Sequence, residues 1–281
     1  MDKVSVILCC YNQQEYIEQA LRSIIFQKIG CLVELIIADD CSPDATLSII
    51  KDIERQGHKS NYVFKYLNSE NNIGFHANYR RAFAACTGKY TAILEGDDWW
   101  DKPNHLQQHI DFLESHHRCS MSFNRINVFN QNSGEFNLQR WPTKDRKLSL
   151  KQHIQYGNPI GNLSACVFRT KYLKSLPEEF FDLNFADYEL GMFMALHGPI
   201  GALGESSSVY RISDNGQWQG LSSEERQKRF IDDLKAVSDH LPKRARCYIS
   251  EYLMLISEGR QNEVYLSWKG RIKRLLRKWK K

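Results

Sequence analysis

The chain has 281 residues, 42% of them hydrophobic and 12% aromatic, enough for one large globular domain or one domain with an appendage. Its formal charge of +5 is unevenly spread: Lys269, Arg271, Lys273, Arg274, Arg277, Lys278, Lys280 and Lys281 form a basic end, and the rest is mildly acidic. No apolar run reaches the roughly 18–20 residues that span a bilayer, and Met1-Asp2-Lys3 leads straight into Val4–Leu8 without signal-peptide features. The eight cysteines show no paired C-x-x-C spacing and no nearby His, which predicts reduced thiols in a cytosolic protein, without a zinc site or a disulfide framework.

Strand and helix signals alternate over the first 120 residues. Val4–Cys10 reads as a strand buried on both faces. Glu15–Ile25 carries apolar residues at 17, 20, 21, 24 and 25, which is helical spacing. Leu32–Ala38 is a second strand ending at Asp39-Asp40, and Ser42-Pro43-Asp44 opens a helix to about Ile53, with Ser42 or Asp44 as its cap. A third strand, Tyr62–Leu67, a helix from Phe75 to Cys86 and a fourth strand, Tyr90–Leu94, follow. A helix then starts at Asp101-Lys102-Pro103 and runs to Ser115. Such alternation implies an α/β fold with a parallel sheet and helices on both faces.

Beyond residue 120 the pattern is mixed. Strands are expected at Ser120–Phe129, Leu163–Phe168 and Gly204–Ile212, with Asn130–Lys147 rich in turns. A helix is expected at Asp187–Leu196, and two further helices, Ser222–His240 and Pro242–Gly259, outside the alternating core.

Ligands in open α/β sheets bind beyond the carboxyl ends of the strands. There the sequence places Cys10-Tyr11-Asn12, Asp39-Asp40, Asn71-Asn72-Ile73-Gly74 and Glu95-Gly96-Asp97-Asp98. Asn and Asp are ordinary turn residues, and each group alone reads as a solvated turn. Four at one end of one sheet point to a single ligand pocket. The acidic group is the sharpest: three carboxylates within four residues repel unless a cation sits among them, and their oxygens suit Mg²⁺ or Mn²⁺.

These blocks, together with Asp39-Asp40-Cys41-Ser42-Pro43-Asp44-Ala45-Thr46 and Leu94-Glu95-Gly96-Asp97-Asp98-Trp99-Trp100, resemble family 2 glycosyltransferases in order and spacing over roughly residues 3–220. The resemblance implies a GT-A fold, Rossmann-like, with a mostly parallel sheet, here with a C-terminal helical extension. It divides the chain into a glycosyltransferase domain at 1–220 (a nucleotide-sugar half at 1–118 and an acceptor half at 119–220), a helical extension at 221–262 and a basic tail at 263–281.

The resemblance also implies roles. Tyr11 would stack on the donor's base, with Cys10 and Asn12 against the nucleotide. Asp40, with Asp39 beside it, would hydrogen-bond the base, and Asn72, Gly74 and Asn78 would line the nucleotide. Glu95 and Asp97 stand in the place of a D-x-D motif, Asp97 on ribose or metal and Asp98 as the first choice for direct metal ligation. Asp187 would be the general base of an inverting transfer, or an N-cap, or both, with Glu189 as the fallback base. Where relatives often have Tyr-Arg-x-His, this chain has Tyr210-Arg211-Ile212-Ser213, so the His is absent and Arg211 is left to hold a phosphate. Trp218 would cover the sugar or serve only in packing.

The implied function is metal-dependent, inverting transfer of a sugar from a nucleotide-diphospho-sugar, a UDP-sugar as first choice, to a glycan or lipid-linked acceptor in surface polysaccharide synthesis, with Mn²⁺ or Mg²⁺ as cofactor. Two alternatives stand beside it: a relative that binds nucleotide-sugar without efficient catalysis, and a nucleotidyltransferase. The latter is expected to carry a Gly-rich basic loop after the first strand, where this chain has Tyr11-Asn12-Gln13-Gln14.

In the tail, Val264, Trp268, Ile272, Leu275, Leu276 and Trp279 fall on one helical face flanked by Lys and Arg. This reads as an amphipathic helix on an anionic membrane surface, with a basic helix packed on the enzyme body as the other reading. No nucleic-acid motif accompanies it. The expected location is cytoplasmic, peripheral on the inner face of the cytoplasmic membrane.

Overall fold

A computed structural model describes residues 3–67, 69–139, 141–184, 186–213 and 222–260. In chain order, β1 (Lys3–Cys10), α1 (Ile17–Ile25), β2 (Leu32–Asp39), α2 (Thr46–Arg55), β3 (Tyr62–Tyr66), α3 (Phe75–Ala85), β4 (Tyr90–Glu95) and α4 (His105–Ser115) form the alternating half. Then come β5 (Met121–Asn130), β6 (Phe136–Leu138), β7 (Arg146–Leu148), α5 (Leu150–Gln155), β8 (Cys166–Arg169), α6 (Thr170–Leu173), α7 (Asp187–His197), β9 (Ile200–Ile212), α8 (Ser223–Asp239) and α9 (Lys243–Ser257).

The strands form one sheet in the order β3-β2-β1-β4-β8-β5-β9-β7, with β6 paired to β5. β1 runs parallel to β2 and β4, β2 parallel to β3, and β5 parallel to β9. β8 lies antiparallel between β4 and β5, and β7 is antiparallel to β9. The sheet is therefore mostly parallel, as expected, and mixed, with the short β7 and β8 antiparallel to their neighbours.

Successive residues of a strand face opposite sides of the sheet, and here both sides are buried. Val4, Val6 and Leu8 with Val33, Leu35 and Ile37 pack under α1, α2 and α4. Ile7, Ile36 and Ile93 pack under α3 and α7, and the buried residues of α8 and α9, Leu234 and Ile249 among them, join this second layer. That explains the near-continuous apolar runs of β1, β2 and β4. α1 follows the predicted spacing, burying Ile17, Ala20, Leu21 and Ile24. α4 starts at His105, four residues later than Asp101, because Asp101-Lys102-Pro103 is spent on a turn in which the Pro103 carbonyl accepts from the Lys28 amide at 2.6 Å.

No helix among the described residues is long and apolar enough to cross a membrane. The tail from 263, and Trp218 with its loop, lie outside the described residues.

Candidate active site

The turn after β4 is held from both sides. Asp98, 1% exposed, accepts from the Arg211 amide at Oδ1 (2.8 Å), and from Ser164 Oγ (2.6 Å) and Asn162 Nδ2 (3.0 Å) at Oδ2. Trp99 exchanges two backbone hydrogen bonds with Val209 of β9. Gly96 is required by close approach: a Cβ there would lie 2.9 Å from the Cys10 Cβ and against the Gln13 side-chain oxygen. The turn thus sits directly over the end of β1, with Glu95 and Asp97 only half-buried beside the inward-turned Asp98.

The carboxyls are electrostatically stressed. Burial, then the charges of Asp98, Asp97 and Asp187, push Glu95 well above the usual carboxylate range. Burial and Asp97 raise Asp98 to about 8 against its three hydrogen bonds. Burial raises Asp97, with Arg211 acting the other way. Tyr210 of β9 is driven up by burial and then by Asp98, Glu95, Asp97 and Asp187 together. Tyr210 thus feels the charge of all four acids. The sequence showed Tyr210 only as a neighbour of Arg211, with no signal for this position.

Asp98 therefore also has a structural role: its oxygens accept three hydrogen bonds that tie β4 to β9 and to the segment before β8, while Asp97 beside it is half-buried. Arg211 is tied in as well. It is 6% exposed, with its guanidinium 4.6 Å from the ring centroids of both Tyr16 and Trp99. Its Nε donates to the Asp97 carbonyl at 2.7 Å, and its terminal nitrogens to Gln19 and Gln131. A side chain held in this way is a strut under the acidic turn. Ser213, where relatives often have His, is buried.

The nucleotide side is divided between struts and open groups. Asp39 accepts from the amide of Ser42 (3.1 Å) and from its hydroxyl (2.5 Å), with Cys10 Sγ 3.6 Å away. Asp40 receives the amides of Ile73 (2.9 Å) and Gly74 (2.8 Å) on its two oxygens. Asn78 donates to the Ala38 carbonyl (2.8 Å) and accepts from Arg81 Nε (2.8 Å). All three are buried. Their side chains fix the loops at this end of the sheet. The groups that remain open are Tyr11, 46% exposed, Asn12 and Asn72. Gly74, at φ 87°, lets the chain turn from this loop into α3.

Asp187 is the first residue of α7. Burial raises its pKa, while Asn158 and backbone amides pull it down. Its Oδ2 is buried with no hydrogen-bond partner among the described residues. The cap of α7 is instead Glu189, whose Oε2 accepts from the Ala186 amide at 2.9 Å. Of the two readings of Asp187, capping therefore falls to its neighbour, and Glu189 is buried and committed to that cap. Asp187 lines a cavity of about 430 Å³ between the start of α3, the start of α7 and α8.

Residues 5–176 match the family model described as Glycosyl transferase family 2. An uncharacterised protein of Mycobacterium tuberculosis is 30% identical over 227 residues, 80% of this chain and 63% of its own length. This chain therefore spans less than two thirds of that relative. S. aureus TarS (residues 1–349) in complex with UDP-GlcNAc superposes with a TM-score of 0.67 at 20% identity, covering 89% of this chain and 71% of TarS. The mannosyltransferase PcManGT of Pyrobaculum calidifontis, in complex with GDP-Man and Mn²⁺, does so with a TM-score of 0.62 at 16% identity, covering 88% and 70%. The structural likenesses show a shared α/β fold of the GT-A kind with C-terminal helices. With more than half of its length matched by the family model, the chain belongs to glycosyl transferase family 2.

Proposed function

We propose that the protein is an inverting, metal-dependent glycosyltransferase that moves a sugar from a nucleotide-diphospho-sugar to a hydroxyl of a surface-glycan or lipid-linked acceptor. The observation that carries this reading is a pair of acid groups whose charges reach one another. Glu95 and Asp97 stand at the end of β4, and Asp187, with an unpartnered oxygen at the start of α7, is among the charges that raise Glu95. One side is suited to a donor diphosphate and the other to an acceptor proton.

A hard divalent cation fits the first group. Its donors are carboxylate oxygens: burial, then the neighbouring acids, raises Glu95, and burial raises Asp97 against the charge of Arg211. Asp97, with Glu95 beside it, would hold Mn²⁺ or Mg²⁺ together with donor phosphate oxygens. Among the described residues no three His, Cys, Asp or Glu side chains form a ready-made ligand set, in keeping with a cation held by one or two carboxylates and completed by substrate. When bound, the ion supplies neutralisation of the charge that develops on the departing diphosphate.

The chain's own residues do the rest. Tyr11 offers an exposed ring for the base, and the loop gripped by Asp40 closes the nucleotide side. Asp187 accepts the acceptor hydroxyl's proton as that oxygen attacks the anomeric carbon from the face opposite the leaving group. Positioning of the two substrates supplies much of the acceleration. TarS and PcManGT, crystallised with UDP-GlcNAc and GDP-Man, support a nucleotide-sugar donor, and a UDP-sugar is our first choice. The basic amphipathic sequence at 263–281 supports a peripheral site on the inner face of the cytoplasmic membrane, where a lipid-linked acceptor is at hand.

The test is release of nucleoside diphosphate from a panel of UDP-, GDP- and dTDP-sugars in Mn²⁺, with and without EDTA. Release from one nucleotide class, stopped by EDTA and restored by Mn²⁺, is expected. No release from any donor sinks the transferase reading, and undiminished release in EDTA sinks the metal.

A further inference from the structure

The cavity beside Asp187 is walled in part by residues beyond the family match, which ends at residue 176. α8 contributes Arg229, Phe230 and Asp233, and the segment before α7 contributes Asn184. At about 430 Å³ the cavity lies within the roughly 300–1,000 Å³ of small-ligand sites. None of the nucleotide-side residues Tyr11, Asn12, Asp39, Asp40 or Asn72 lines it. It is a second compartment, with Asp187 on its boundary.

Its chemistry is specific. Phe230 stacks on Tyr188, with ring centroids 5.5 Å apart and planes within 10°, and so presents a fixed aromatic wall. Phe75, at the start of α3, adds a second apolar surface. Around these, Asn184 donates to both oxygens of Asp233 (3.0 and 3.2 Å), and Arg229 Nε lies 4.0 Å from Asp233 Oδ2. Three carboxyl side chains, Asp187, Asp233 and the cap-bound Glu189, line the space with the imidazole of His76 and one guanidinium, which is engaged with Asp233 and with the Asn184 side-chain oxygen (3.4 Å). Flat aromatic faces with amide and carboxylate acceptors suit a ring that carries C–H faces and hydroxyl donors. The excess of acid disfavours an anion.

We infer that this cavity, walled by α8, is the acceptor subsite, and that Phe230, Asp233 and Arg229 select an uncharged pyranose over a uronic acid or a phosphorylated sugar. The inference rests on the transferase reading for its role in turnover, but the binding it asserts is independent of turnover. Phe230 supplies the stacking face. Asp233, steadied by Arg229 and Asn184, accepts hydrogen bonds from ring hydroxyls and repels a carboxylate at the same position. These are specificity residues, and Asp187 alone among the cavity residues takes the proton.

The test is ligand-observed saturation-transfer NMR on the full chain, with octyl glucoside, octyl galactoside and the matching octyl glucuronide and galacturonide as probes. Binding of UDP and UDP-sugar release are measured in parallel. Neutral glycosides are expected to receive saturation at least tenfold more strongly than the uronides. Phe230→Leu, which keeps an apolar side chain under α8 and removes the ring, should abolish that signal while UDP binding stays unchanged. Asp233→Asn should bring uronide binding up toward that of the neutral glycosides. Uronides bound as well as neutral glycosides, no glycoside bound at all, or Phe230→Leu binding undiminished would each overturn the inference. Failure of the transferase reading shows separately, as absence of UDP binding and of nucleotide release in the parallel arm.

Discussion

The backbone amide of Arg211 donates to Oδ1 of Asp98 at 2.8 Å, so that the last strand to enter the sheet clamps the acidic turn that follows the fourth. The carboxylate expected to hold a metal is thus also a clamp between two strands, and its neighbour Asp97 is half-buried beside it.

The first prediction separates the two acids. Asp98→Ala leaves three buried donors without an acceptor, each costing about 1–3 kcal/mol, and should lower the melting temperature markedly together with activity. Asp97→Asn should leave the melting temperature near wild type and remove the Mn²⁺ dependence of donor binding. Calorimetric titration with UDP, with and without Mn²⁺, checks this. If Asp97→Asn binds UDP and Mn²⁺ like wild type, the metal assignment fails.

The second concerns Asp187. Asp187→Asn should reduce turnover by roughly 10²–10⁴-fold, the span of general-base catalysis, with donor affinity nearly unchanged because Glu189 still caps α7. Parallel loss of donor binding would place Asp187 in the nucleotide site instead. Burial raises the Asp187 pKa, and the base works only when deprotonated. The acid limb of kcat/KM should therefore lie above the usual carboxylate range, near 3.9, and vanish in the Asn variant.

The third uses Glu189. Its pKa is raised to about 7 by burial, against an unfolded value near 4.5. Between those two values the folded state holds a proton that the unfolded chain has lost. Glu189 should make stability fall as pH rises through this window by up to about 1.4 kcal/mol per pH unit, in addition to the like contribution of the other raised acids, Asp98 among them. Glu189→Gln keeps a side-chain oxygen for the Ala186 amide and should make the slope shallower. Chemical denaturation at pH 5, 6 and 8 checks it, and a wild-type stability that rises over this range contradicts it.

The fourth concerns the strut. Arg211→Lys retains the charge but not the planar fork that reaches Asp97, Gln19 and Gln131, nor the stacking between Tyr16 and Trp99. Melting temperature and donor affinity should drop together. A phosphate-binding role would instead lower donor affinity alone.

The fifth concerns the tail. Truncation after Glu263 should leave UDP binding intact and abolish pelleting with anionic vesicles. Each basic residue near such a surface contributes about 1 kcal/mol, and high salt should weaken the intact chain's binding. Equal pelleting of the two forms would show that the tail does not anchor the protein.

The strands β1, β2 and β4 were legible because burial on both faces writes an unbroken apolar run, and the helices α1 and α3 because their apolar spacing is regular. α5, six residues long, was hidden in the stretch after Lys147, where a capping box of Ser149 and Gln152, rather than periodicity, sets the helix. The site was legible as a set of residue types at strand ends. What the sequence did not carry was the internal hydrogen bonding of these residues: Asp40, Asp98 and Arg211 are held by neighbours remote in sequence, and Asp39 and Asn78 partly by residues three positions away. Phe230 and Asp233 were invisible for a related reason. They sit on a helix recognisable from its pattern, but the partner against which it packs is a matter of tertiary structure.

The grip of Asp40 on the amides of Ile73 and Gly74 bears on re-engineering donor choice. Transplanting the Asn71–Gly74 loop from a homologue would import a segment whose anchor lies on another strand, over thirty residues upstream. A chimera that exchanges the loop alone inherits a mismatched hinge. One that carries the end of β2 along with it exchanges a matched lock and key, and is the unit by which nucleotide preference can be traded between such enzymes.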